Sequence, residues 1–118
     1  MSVSVAAVRR WALELPESAE APHHDMTSFR VAGKIFATLP PGAGRLHVFL
    51  PEEEVAAYRG EFPAAVEELW WGRRLRGCRV VLRHADRALV RELLTESWRR
   101  KAPKRVVAAY DEGVGAAG

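Results

Sequence analysis

The reading of this chain turns on "SFRVAGKIFATL", Ser28 to Leu39. From Thr27 to Leu39 apolar residues recur with a period of two, the spacing of a half-buried strand. Ala32-Gly33 divides the run into two short strands, so a two-residue hairpin turn is expected there. Val31 then faces Lys34, Arg30 faces Ile35, and Phe29 faces Phe36. Phe29, Val31 and Phe36 share one face of the ribbon, and Ser28 and Arg30 take the other. Ala32 is an imperfect first turn residue, because primed turns favour Gly, Asn or Asp. Gly33-Lys34 is no phosphate-binding loop: no glycine precedes it, no Ser or Thr follows the lysine, and the chain enters a strand rather than a helix.

Outward from the hairpin, Val5, Val8, Ala12 and Leu15 recur at helical spacing with Trp11 beside them, so residues 3–14 read as an amphipathic helix ended by Pro16. "ESAEAPHHDMT" reads as a loop, or at most an irregular edge strand, because Pro22 interrupts it. After the loop "PPGAG", "RLHVFL" is a third strand with Leu46, Val48 and Leu50 on one side. "PEEEVAAYRGEF" opens a helix with proline and three acids, which suit the positive end of a helix dipole. "AAVEELWW" reads as a short helical turn before Gly72. "RRLRGCRVVLRHA" reads as one or two strands bent at Gly77, with Cys78, Val80 and Leu82 inward. The longest helix, "ADRALVRELLTESWRRKA", carries Leu89, Leu93, Leu94 and Trp98 as its apolar stripe. Pro103 breaks it, "KRVVAAY" continues as a turn, and "DEGVGAAG" frays.

The order α-β(3)-α-β(2)-α with hairpin-length connections predicts an α+β fold, a two-layer sandwich of helices on an antiparallel sheet. Length allows one domain, placed at residues 1–112 with a frayed tail at 113–118.

Composition is that of an ordinary soluble protein, and the single cysteine fits a reducing, cytoplasmic setting without a disulfide framework. Arg9 and Arg10 interrupt the N-terminal apolar run, so no signal peptide is expected, and no segment is apolar enough to span a bilayer. Charge is uneven: residues 73–105 hold twelve basic residues against three acids, within a chain whose net charge is only +3. An acidic partner, nucleic acid above all, follows from that asymmetry. A solvated arginine-rich surface would look the same in sequence.

Catalytic constellations are missing. His23, His24 and Asp25 contain a His-x-Asp spacing of the kind found in facial-triad iron sites, with His47 or His84 as the distant histidine such a site requires. Adjacent polar residues in a proline-containing loop explain the triplet more simply, and no metal is expected. Ser28, Ser97 and Cys78 lack the surroundings of a nucleophile, and Cys78 reads as core. Trp70-Trp71 cannot both point one way in regular structure. One is expected in the core, with the other a platform beside Arg73, Arg74 and Arg76, or both pack.

"LELPESAEAPHHDMTSFRVAGKIFATL", "LHVFLP" and "LLTESWRRKAPKRVVAAYD" resemble the MmcQ/YjbR family of small bacterial proteins. The resemblance spans roughly residues 8–112. It rests on Leu-Pro after the first helix, the Ser-Phe-Arg-x-x-x-Lys-Ile-Phe-Ala hairpin and the terminal Ala-Pro-Lys-Arg. It implies a compact two-layer α+β fold, related in shape to frataxin-like and secretion-chaperone-like folds. Members are usually labelled DNA-binding proteins with a "double wing", and the family is often filed as of unknown function. Asp25-Met26-Thr27 stands where members carry Gly and Pro, and Cys78 where many have tryptophan.

The resulting expectation is a non-catalytic DNA-binding module without cofactor, weakly sequence-selective, using Lys34, Arg73, Arg74, Arg76, Arg79, Arg83, Arg99, Lys101, Lys104 and Arg105, with Trp70 and Trp71 as an aromatic platform. The alternative is a homodimeric protein-interaction or chaperone-like module.

Overall fold

A computed structural model describes residues 2–42 and 44–117, and in it the Ser28–Leu39 stretch is a hairpin. Strands β2 (Met26–Val31) and β3 (Lys34–Leu39) pair antiparallel, with Val31 opposite Lys34 and Arg30 opposite Ile35. Ala32 and Gly33 have φ of 51° and 79°, the doubly left-handed geometry of a type I′ turn. Beyond Ile35 the expected register fails. Phe29 stands opposite Ala37 rather than Phe36, because a bulge inserts Phe36 as an extra residue. Phe29 and Phe36 are nevertheless both buried, with ring centroids 6.5 Å apart.

The segment before the hairpin is a regular strand, β1 (Ser18–His23), paired with β2 along its whole length. It lies at the sheet edge, where the missing N–H of Pro22 costs no ladder bond. His24 and Asp25 form the tight connection to β2, with His24 at φ 57°. Strand β4 (Arg45–Phe49) follows, then helix α2 (Glu52–Glu61). The residues expected to form a helical turn are instead strand β5 (Val66–Trp71), paired with β6 (Arg74–Val81). Glu67 and Glu68 favour helix locally, but burial of Val66 and Leu69 against a neighbouring strand outweighs propensity. The sheet order is β1-β2-β3-β4-β6-β5, antiparallel throughout.

Gly77 does not end a strand; β6 runs through it. A Cβ there would lie 1.9 Å from the Val48 carbonyl oxygen, so glycine permits the close approach of β4.

Helices α1 (Val5–Glu14) and α3 (Arg87–Lys101) pack on each other and on β1, β3 and β4, while α2 covers β5 and β6. Ser4 and Asp86 cap α1 and α3 through their side chains. The predicted stripe of α3 is the centre of the core: Leu93, Leu94 and Trp98 are buried against Phe29, Phe36, Leu46 and Val48. In α1, Val8, Trp11 and Ala12 are buried as expected, but Val5 is exposed. Beyond Pro103 the chain is not a turn but helix α4 (Lys104–Ala117). The Pro103 carbonyl accepts from Val106 and Val107, so the proline starts this helix as well as ending α3. The tail expected to fray is helical to Ala117, and Gly118 lies outside the described residues. The class is therefore the α+β two-layer fold expected, with one more strand and one more helix.

Candidate nucleic-acid interface

Strand β4 alternates, so Leu46 and Val48 enter the core while His47 and Phe49 emerge on the opposite sheet face. Cross-strand pairing extends that face as a row: Ser28 opposite Thr38, Thr38 opposite His47, His47 opposite Arg79, and Arg79 opposite Glu67. The Arg79 Nε donates to His47 Nε2 at 3.4 Å. Burial, and then the Arg79 charge, lower the His47 pKa to about 4. The ring is neutral at physiological pH, with its proton assigned to Nδ1 by the bond that Nε2 accepts.

Neither tryptophan of Trp70-Trp71 enters the core; they are 49% and 52% exposed. Both sit on edge strand β5, and the pairing shifts between Leu69 and Trp70, which leaves Arg76 of β6 as the extra residue of a bulge. Trp71 packs edge-on to Phe49, ring centroids 5.6 Å apart, and carries the Arg76 guanidinium 4.8 Å from its own centroid. Trp70 donates its indole N–H to Glu68.

Two adjoining depressions meet here. One, of about 190 Å³, is lined by His23, Met26, Ile35, Thr38, His47, Phe49, Trp71, Arg76 and Lys101. The other, of about 280 Å³, shares Phe49, Arg76 and Lys101 with it and adds Arg74 and Arg100. Arg100 also pairs with Glu54 of α2. Lys101 closes the last turn of α3, where a cation suits the negative end of the helix dipole.

The basic residues named from sequence therefore divide. Arg74, Arg76 and Lys101 come together at this site, and Arg79 continues it along the sheet. Arg73 lies in the β5–β6 turn beside them. Arg83 sits past the far end of β6, bonded to His84. Arg99 is paired with Asp111 at 2.7 Å and with Glu96, and Arg105 with Glu17 at 3.0 Å. Lys34 is exposed at the β2–β3 turn, and Lys104 at the start of α4. Hence the basic window is no single stripe: about half faces one site, and the remainder is spent on ion pairs or other surfaces.

Sequence reasoning missed Met26, Ile35, Thr38, His47 and Phe49 as a group. The alternation of "RLHVFL" does place His47 and Phe49 on one face. That they meet Trp71 depends on the β4–β6–β5 order. His23 and His47 line one pocket while His84 lies elsewhere with Arg83, and among the described residues no three His, Cys, Asp or Glu side chains converge to hold a metal. Cys78 is buried, which pushes its pKa up to about 12 and removes the thiolate a nucleophile needs.

This architecture, an open six-stranded antiparallel sheet with its helices on one face, defines a small α+β class. The chain belongs to the YjbR family, which it matches over residues 13–100. Among solved structures it is similar to Deinococcus radiodurans protein DR2400, of domain family DUF419, with a TM-score of 0.69 at 22% identity over 80% of this chain and 75% of that one. No curated protein matches. Among the described residues no helix is long and apolar enough to cross a membrane.

Proposed function

We propose that the protein is a non-catalytic, cytoplasmic DNA-binding module that holds its partner on the open sheet face beside the end of α3. The carrying observation is the cationic depression of Arg74, Arg76 and Lys101, with Arg100 beside them engaged by Glu54, set against the Phe49–Trp71 aromatic pair. Cations supply sequence-independent attraction to phosphates, and a half-exposed ring supplies stacking that every base satisfies. Weak sequence preference follows from both. The test is an anisotropy titration with single- and double-stranded oligonucleotides over a salt series. Binding that weakens steeply with salt is expected, and no binding of either form at low salt overturns the reading.

Trp70 favours a second reading, a homodimeric interaction module. It is half exposed on edge strand β5, whose outer backbone groups have no neighbouring strand in the sheet. Sedimentation separates the two: a stable dimer dissociated by Trp70→Ser supports the interaction module, and a monomer at all concentrations rejects it.

A further inference from the structure

The smaller depression differs in character from the larger one beside it. Its walls are mostly apolar: Met26 and Ile35 on the β1–β3 side, Phe49 and Trp71 on the other. Polar groups are few and placed together, with Thr38 and the neutral His47 opposite each other on neighbouring strands and His23 near them. Arg76 and Lys101 stand where this pocket opens into the cationic depression, since both line the two at once. At about 190 Å³ it is smaller than the roughly 300–1,000 Å³ of sites for drug-sized ligands. Its size suits one planar ring, with anything attached to that ring left outside.

A concave, aromatic-walled slot with a cationic mouth is complementary to a ring that carries an anion. We infer that this pocket receives one unstacked nucleobase of a DNA strand, held between the Trp71–Phe49 wall and the Met26–Ile35 wall, with the attached phosphate on Arg76, Lys101 and Arg74. A paired base inside a duplex presents no free face to such a slot, so the occupant is a single-stranded, terminal or extruded base. His47 Nδ1–H and the Thr38 hydroxyl supply hydrogen-bonding groups for the edge of the ring. A bound phosphate neutralises the two cations at the mouth, which compete for no carboxylate among the described ion pairs.

This inference rests on the DNA-binding reading, and the experiment separates the two. Three probes are titrated: an oligothymidylate, a strand of equal length with abasic sugars, and free thymidine monophosphate. The expected result is about tenfold or more tighter binding of the base-bearing strand than of the abasic one. Ile35→Phe, which fills the slot without altering charge, and Trp71→Leu, which removes its aromatic wall, should each bring that ratio close to one. Equal, salt-dependent binding of both strands by the unaltered protein overturns the pocket assignment and leaves DNA binding standing. Binding of neither strand overturns the DNA reading. In that case a shift of the Trp71 indole N–H resonance by thymidine monophosphate, abolished in Ile35→Phe, retains the slot as a site for a free nucleotide, and no shift overturns it too.

Discussion

The Ser97 hydroxyl, buried on α3, donates a hydrogen bond to the carbonyl of Phe36, the residue that the β2–β3 register skips. A bulge leaves backbone groups outside the ladder, and a buried carbonyl without a partner is costly. One side chain thus satisfies the irregularity and fastens the long helix to the hairpin. Ser97→Ala should lower stability by about 1–3 kcal/mol, the penalty of an unsatisfied buried acceptor. Urea denaturation checks this as a lower midpoint at unchanged slope.

Two glycine-to-alanine substitutions should have opposite signs. Gly60 lies within α2 with open space around its missing Cβ, so Gly60→Ala should stabilise by about 0.5–1 kcal/mol. In Gly77→Ala the new methyl meets backbone, 1.9 Å from the Val48 carbonyl oxygen and 2.9 Å from the Phe49 Cα. Strand β4 has to move, and a loss of about 1–3 kcal/mol or more is expected. Thermal melts of the two variants side by side test the contrast, and equal behaviour would refute the close β4–β6 approach.

Not all arginines of the basic window should matter equally for DNA. Arg74, Arg76 and Lys101 converge on one site, whereas Arg99 and Arg105 are engaged by Asp111 and Glu17. Replacing the first three by alanine should flatten the dependence of log affinity on log salt by about 0.7–0.9 for each phosphate no longer neutralised. Replacing Arg99 and Arg105 should leave that slope nearly unchanged. The comparison is read from anisotropy titrations at several salt concentrations.

Stability should depend on pH through His47. Its folded pKa, about 4, lies below the ordinary 6.5 because of burial first and the Arg79 charge second. The unfolded chain therefore binds the proton more tightly. The His47 contribution is complete above pH 6.5 and is lost as pH falls from there through about 4. Partial exposure of the ring moderates the size of the effect. His47→Gln should flatten the denaturation midpoint across that window, and an unaltered pH profile would contradict the buried, neutral histidine.

Cys78 should be silent towards thiol reagents in the folded protein. Burial raises its pKa to about 12, so thiolate is scarce at neutral pH and access is closed. Its modification rate should rise with denaturant in step with unfolding; fast reaction under native conditions would show that β6 opens locally.

The hairpin register was readable only as far as the turn. Val31–Lys34 and Arg30–Ile35 follow from turn length alone, but the Phe36 bulge depends on Ser97, 61 residues away. In the same way "VEELWW" carries helix-favouring glutamates, and only the presence of β6 alongside makes it a strand. Pro22 argued against strand in β1, and only a place at the sheet edge makes it harmless.

Elements whose period is strong and local were legible in the residues alone: the Ala32-Gly33 turn, the Leu89–Trp98 stripe and the alternation of Leu46 and Val48. Those features are set by backbone geometry within a few residues. Which cations lie together was decided only by the folded arrangement. Charge in a sequence has no direction, and Arg99 and Arg105 were withdrawn by acids brought close in space, while Arg76 was set on Trp71 by strand pairing. The candidate site draws on all six strands and a helix end, so its geometry exists only once the sheet has formed.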